Sequence, residues 1–228
     1  IRPHSVVHSI IYDESKNCAK GVRVIDAETK EEIEYFSKVI FLNASALNSN
    51  LILLNSISNR FPNGLGNDND LLGRYICHHN YRGSLGGSID GFEDKYYFGR
   101  KPAESMMPNF RNFKKQDMDF VGGYMAFMGC YRSRGTEEAE QSLIGAPLKS
   151  AMSEAGPWGM YMYMQGETVP KYNNRVYLSK TEKDQWGVPL LVTDVSYDNN
   201  DDLLLTDFLT QGSEMLDAAG VKNIHTHD

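Results

Sequence analysis

The stretch from Lys38 to Ser56 constrains this chain more than any other. Its first part, Val39-Ile-Phe-Leu42, is apolar and β-rich and reads as a buried strand. Its centre, Asn43-Ala-Ser-Ala46, is small. Its last part sets Leu47, Leu51, Leu54 and Ile57 at helical spacing, with Ile52 and Leu53 widening the stripe. A strand that runs through small residues straight into a helix lets the backbone approach a flat polar ligand. It also aims the free N–H groups of the first helical turn at that ligand. Ser45 or Ser49 is the expected cap.

The surrounding residues place this stretch at the end of a β-meander. Residues 5–12 are β-branched without a breaker and read as a strand. Residues 13–17 form a polar turn, 20–27 alternate partly through Val22 and Val24, and Ile33 to Phe36 gives a third strand. Residues 59–70 are a loop rich in Asn, Gly and Asp. The glycines of 64–66 and 83–91 read as loop glycines. Beyond residue 80, strand-like runs occur at Phe120–Tyr131, Trp158–Gln165, Arg175–Leu178 and Leu190–Tyr197. Residues 136–155 and 200–220 read as helical. The second of these has Leu203, Leu204, Phe208 and Met215 on its stripe and Gly220 as its stop.

The run Trp158–Gln165 alternates cleanly, so successive side chains leave opposite faces. Met160, Met162 and Met164 are assigned to the core. Tyr161, Tyr163 and Gln165 face the other way and are the candidate substrate wall. The fold class is therefore α+β. Residues 1–80 form a nucleotide-domain-like piece with a β-meander. Residues 81–228 form a mostly antiparallel sheet covered by helices.

Charge and motifs exclude several functions. With 23 Lys and Arg against 30 Asp and Glu in 228 residues, the net charge is −7, which disfavours nucleic acid. The densest basic cluster, Arg111, Lys114 and Lys115, reads as a solvated face. No run approaches the roughly 20 apolar residues of a membrane span. Cys18, Cys77 and Cys130 are widely spaced, so reduced thiols are expected, with no disulfide framework or zinc site. Asp68 and Asp70 lack the closing Glu of a calcium loop. Of the neighbouring His78 and His79, one is expected to be satisfied and one solvated. His225 and His227 read as a frayed terminus. The opening Ile1-Arg2-Pro3-His4 lacks Met, so the natural start is expected upstream, and the sequence leaves localisation unassigned.

Five segments, in order, carry a family resemblance. They are Ser5–Tyr12 with Ala19–Val24, Val39–Ser56, Asn63–His79, Gly166–Leu178 with Asp184–Pro189, and Asn199–Asp201. Together they resemble the central part of the glucose-methanol-choline (GMC) flavoprotein oxidoreductases. The resemblance implies a partial FAD-binding, Rossmann-like domain followed by a substrate domain. It implies oxidation of an alcohol by hydride transfer to FAD. The family's G-x-G-x-x-G is absent, and its catalytic histidine is expected beyond Asp228. The resemblance thus implies no catalytic residue here and an inactive piece that does not retain FAD by itself. Ser45 stands where the family usually has Gly.

By the same resemblance, Val7 would contact adenine through its backbone. Ala44, Ser45 and Ala46 would line the flavin or pyrophosphate side, Ser49 would be a further contact, and His79 would sit beside the cofactor. The aromatic content of residues 81–228 points to a sugar or polyol-like alcohol as substrate. Self-association through the open face of the partial flavin domain is expected. The alternative is a non-catalytic β-sheet module that binds carbohydrate or protein.

Overall fold

The computed structural model describes residues 1–95, 104–134 and 142–228, with Ser133 described by its backbone alone. The fold is α+β. It divides into two compact units, residues 1–77 with 170–196, and residues 78–169 with 197–228. The chain-order division near residue 80 and these units differ over 170–196, a hairpin that returns to the first unit.

In the first unit, β1 (Ser5–Asp13), β2 (Cys18–Asp26) and β3 (Glu32–Phe36) form an antiparallel meander in the order β1-β2-β3. Asp13 closes the first turn by accepting from the backbone N–H groups of Ser15 and Lys16 at 3.1 and 3.2 Å. Helix α1 (Ser45–Asn55) packs on β1. Ser56, just past its end, accepts the N–H of Ile10 at 2.7 Å and donates to the Ile52 carbonyl at 2.6 Å. Ile10, Ile11, Val24 and Ile52 form the buried contact. The hairpin of β8 (Arg175–Lys183) and β9 (Pro189–Asp194) completes the unit.

Three expectations fail here. Residues 39–42 belong to no strand among the described residues, because apolar character alone does not make a strand without a neighbour to bond. Helix α1 is capped by neither Ser45 nor Ser49; Ala44 occupies the N-cap without a side-chain bond. Its stripe is also narrower than expected: only Ile52 is fully buried, while Leu47 and Ile57 are exposed.

The second unit is a five-stranded antiparallel sheet. Its order is β10 (Lys222–His227), β4 (Ser84–Ile89), β7 (Ala155–Gly166), β6 (Tyr124–Arg134) and β5 (Ser105–Met107). Helix α2 (Ala146–Ala151) is one short piece of the helix expected over 136–155; residues 135–141 lie outside the described residues, and β7 has begun by Ala155. Helix α3 (Asn199–Ala218) starts at a full capping box between Asp198 and Asp201 and stops before Gly220, whose φ is +82°. It lays Leu204, Phe208 and Leu216 on one face of the sheet, against Leu85, Met162 and Met164. The buried stripe ends on Leu216 and leaves Met215 half-buried. Gly212 lets the helix come close, since a Cβ there would stand 2.6 Å from Leu85.

The methionine assignment holds: Met162 and Met164 are buried and Met160 packs at the core's edge. The glycines of 83–91 are a correction, because Gly86 and Gly87 sit inside β4 rather than in a loop. A Cβ on Gly87 would lie 2.4 Å from Val221, so the close packing of β10 requires a bare backbone. His225 and His227 also correct expectation. They belong to a paired strand, with His225 opposite Gly86 and His227 opposite Ser84.

Candidate functional site: an aromatic row on the open sheet face

With α3 on one face, the other face of the sheet carries the opposite register positions. Tyr161 and Tyr163 lie there, as alternation predicts. Register brings them beside residues from β6: Phe127 pairs with Tyr163, Gly129 with Tyr161, and Tyr131 with Gly159. The outcome is a continuous row of rings. Phe127 stacks on Tyr163 with centroids 5.4 Å apart, Tyr163 on Tyr161 at 6.4 Å, and Tyr161 meets Tyr131 at 6.2 Å.

Two glycines make the row possible. A Cβ on Gly129 would lie 2.6 Å from the Tyr161 hydroxyl, and one on Gly159 would lie 2.5 Å from the Tyr131 ring. Each tyrosine thus rests over a glycine of the neighbouring strand. Glu104 fixes two of the rings from outside the sheet. The Tyr161 hydroxyl donates to one carboxylate oxygen at 3.2 Å and the Tyr163 hydroxyl to the other at 2.9 Å. Burial, then the nearby Glu104 charge, pushes the Tyr161 hydroxyl pKa up; for Tyr163 the bond to Glu104 is the main cause of a rise. Both phenols therefore stay neutral donors. Gln165 continues the same face, opposite Met125.

Sequence reasoning put Tyr161, Tyr163 and Gln165 together on one face and did not place Phe127, Tyr131, Glu104 or His225 beside them. The x-His-x-His alternation of 224–227 after a helix stop was a usable strand signal. The ring partners depend on register and had none.

The cofactor candidates lie mostly in the first unit. Val7 and Ala44 line one largely apolar cavity of about 450 Å³ with Val22, Phe36, Phe41 and Ile52. Ser45 and Ala46 are exposed in the first turn of α1, and Ser49 is half-buried one turn on. No side chain caps the helix, so its first N–H groups are open to solvent or a ligand. Ser45 takes φ +66°, a conformation that favours glycine. These features fit one wall of a dinucleotide site: small residues, an uncapped helix start and an apolar slot. His79 belongs to the second unit, exposed, with its ring edge-on to Tyr81 at 5.6 Å. His78 donates from Nδ1 to the His79 carbonyl at 3.1 Å.

The left-handed Ser45 yields a direct prediction. Ser45→Gly relieves the strained φ and is expected to stabilise the first unit by up to about 1 kcal/mol. The looser unfolded chain offsets part of that gain. Urea unfolding checks it; a loss of stability would mean that the Ser45 side chain contributes more than its backbone costs.

Other candidates resolve structurally. Arg60 holds Asp68, and Arg74 holds Asp70 at 2.7 Å. Arg111 is not on a solvated face, because it forms a two-pronged pair with Asp207 at 2.8 Å on each arm. The three cysteines are free and exposed. Among the described residues no helix is long and apolar enough to cross a membrane.

No protein-family model matches the chain. It is similar to the fructose dehydrogenase large subunit of Gluconobacter japonicus, 28% identical over 204 residues, covering 87% of this chain and 35% of that protein. It is also similar to the 2-methyl-1,2-propanediol dehydrogenase of Mycolicibacterium austroafricanum, 27% identical over 194 residues, covering 83% of this chain and 34% of that protein. The chain thus spans about a third of the length of these relatives, both named as dehydrogenases.

Proposed function

We propose that this chain supplies the substrate sheet and one wall of the cofactor site of an FAD-dependent, GMC-type oxidoreductase that oxidises a CH–OH group of a sugar or polyol. The observation that carries the reading is the row Phe127–Tyr163–Tyr161–Tyr131, braced by Glu104 on the open face of the sheet. Rings of this kind take the apolar face of a sugar, while phenol hydroxyls and Gln165 meet its hydroxyls. The two similar dehydrogenases, named for a sugar and a diol, support the same class.

Bound flavin would accept the hydride. The chain's own part is to bind and orient. Val7, Ala44, Ser45, Ala46 and Ser49 would hold the dinucleotide, chiefly by backbone and by the open start of α1, with His79 as a further contact. Tyr161, Tyr163 and Gln165 would fix the substrate ring, and Glu104 would keep both tyrosines in one orientation.

The test is optical. The complete gene product should be yellow, and its flavin band should bleach anaerobically on adding D-fructose or 2-methyl-1,2-propanediol. Bleaching by choline or aryl alcohols alone would overturn the substrate class. A colourless gene product that still binds sugar would favour the second reading, a carbohydrate-binding sheet module, which the same aromatic row supports.

A further prediction concerns surface. Phe36, Val39 and Phe41 are 63, 63 and 82% exposed in and beside the unpaired segment 39–42. Such a patch favours association. The 228-residue chain is expected to self-associate, and the Val39→Ser/Phe41→Ser variant to do so less. Light scattering at two concentrations reads this, and a clean monomer at both counts against it.

A further inference from the structure

Strand β10 is not regular. Lys222 pairs with Ser88, the register then shifts, and pairing resumes with His225 opposite Gly86. Within the shift Asn223 adopts φ +53°, a left-handed conformation that Asn takes more readily than other residues with a side chain. Bulges of this type re-aim a side chain, and here the re-aimed group is His225. The Asn223 carbonyl lies 3.1 Å from His225 Nδ1. A carbonyl only accepts, so the neutral imidazole carries its proton on Nδ1 and its lone pair on Nε2.

The ring lies over Gly86, where a Cβ would stand 2.7 Å from Nε2 and 3.0 Å from Cε1. His227 packs edge-on behind it at 5.3 Å. Among the described residues Nε2 has no hydrogen-bond partner. His225 borders a depression of about 250 Å³ lined also by Ser88, Tyr131, Trp158, Gly159 and Asn223. Tyr131 is also the last ring of the aromatic row, so the depression continues it. Asn223 Nδ2 donates to Ser88 Oγ at 3.0 Å, and Ser88 Oγ donates to the Lys222 carbonyl at 3.3 Å, so these groups are already engaged. No carboxylate, lysine or arginine lines the depression among the described residues.

We infer that this depression is a second subsite for a neutral polyhydroxylated ligand, with His225 Nε2 accepting one ligand hydroxyl while the aromatic row holds the ring or carbon chain. A lone-pair acceptor without neighbouring charge selects an O–H donor over an anion or an ammonium group. The inference rests on reading this sheet face as ligand-binding but not on the flavin.

The test uses the full chain labelled with ¹⁵N-histidine and ¹³C-tyrosine, with D-sorbitol as probe and 1-propanol as control. Imidazole spectra should show His225 protonated at Nδ1. Its Nε2 resonance should move on adding sorbitol and stay still with 1-propanol. His225→Leu should weaken sorbitol binding about tenfold, the loss of one hydrogen bond. Gly86→Ala displaces only the ring and should act alike, with thermal unfolding unchanged in both variants. Sorbitol shifts at Tyr161 and Tyr163 with a silent His225 would overturn the subsite and leave the aromatic-row reading intact. Sorbitol shifts at neither place would overturn both. A proton found on Nε2 would overturn the acceptor role.

Discussion

Asp207→Ala is expected to destabilise the second unit by about 1.5–3 kcal/mol, the usual cost of losing hydrogen bonds to a charged group in a partly buried site. Both side chains are partly buried, at 13% exposure for Asp207 and 22% for Arg111. Arg111 donates to both carboxylate oxygens at 2.8 Å, and the Tyr124 hydroxyl donates to Oδ2 at 2.7 Å. Tyr124 in turn packs edge-on to Phe208 at 5.5 Å and Phe110 at 5.7 Å. The carboxylate thus ties the 108–122 loop, the start of β6 and α3 together. Without it a guanidinium and a phenol are left half-satisfied inside the packing. Amide exchange of β6 and β7 reads the loss in this unit alone; a change below about 1 kcal/mol would mean that water replaces the carboxylate.

The same knot has an alkaline signature. Burial first, then the Asp207 carboxylate, pushes the Tyr124 hydroxyl pKa well above its ordinary 10.0. The unfolded chain releases this proton near pH 10 while the folded chain keeps it. The contribution is therefore complete below pH 10 and is lost as pH rises further. Tyr124→Phe removes that slope, which unfolding between pH 9 and 11 would show.

The second large effect concerns function. Replacing both Tyr161 and Tyr163 by alanine is expected to lower affinity for a ring-shaped sugar about ten- to a hundredfold, from ~0.5–1.5 kcal/mol per stacked ring. Both rings are half-exposed on the open face, while Met162 between them is buried, so the change removes wall and spares core. Glu104→Gln keeps the rings but weakens their brace, and a smaller loss is expected. Calorimetric titration with D-glucose separates the outcomes. Unchanged binding in the double variant would move the substrate wall elsewhere.

How much of this was legible depended on whether the signal was local. The alternation of Trp158–Gln165 assigned each side chain to its face, because a two-residue period needs no knowledge of the partner strand. Residues 200–220 read as helical for the same reason: the apolar stripe and the stop at Gly220 lie within the segment itself. The row of rings was not legible, since Phe127 meets Tyr163 only through register across 36 residues. Nor was Arg111, whose partner lies 96 residues away. Gly86 and Gly87 were misread because a glycine shows no trace of the ring or methyl group that will lie over it. Residues 39–42 have the composition of a strand, and composition says nothing about whether a neighbour is present.

The two compact units have a consequence for the order in which this chain is made. The polypeptide leaves the first unit after residue 77, returns at 170 and leaves again after 196. When synthesis has reached residue 169, the first unit still lacks β8 and β9. The second has four of its five strands but neither β10 nor the covering helix α3. For that interval the methionine-rich back of the sheet, Met128, Met160, Met162 and Met164, has no Leu204, Phe208 or Leu216 to rest on. Synthesis and packing are out of step, and the strands that will carry the aromatic row exist before the helix that holds them flat.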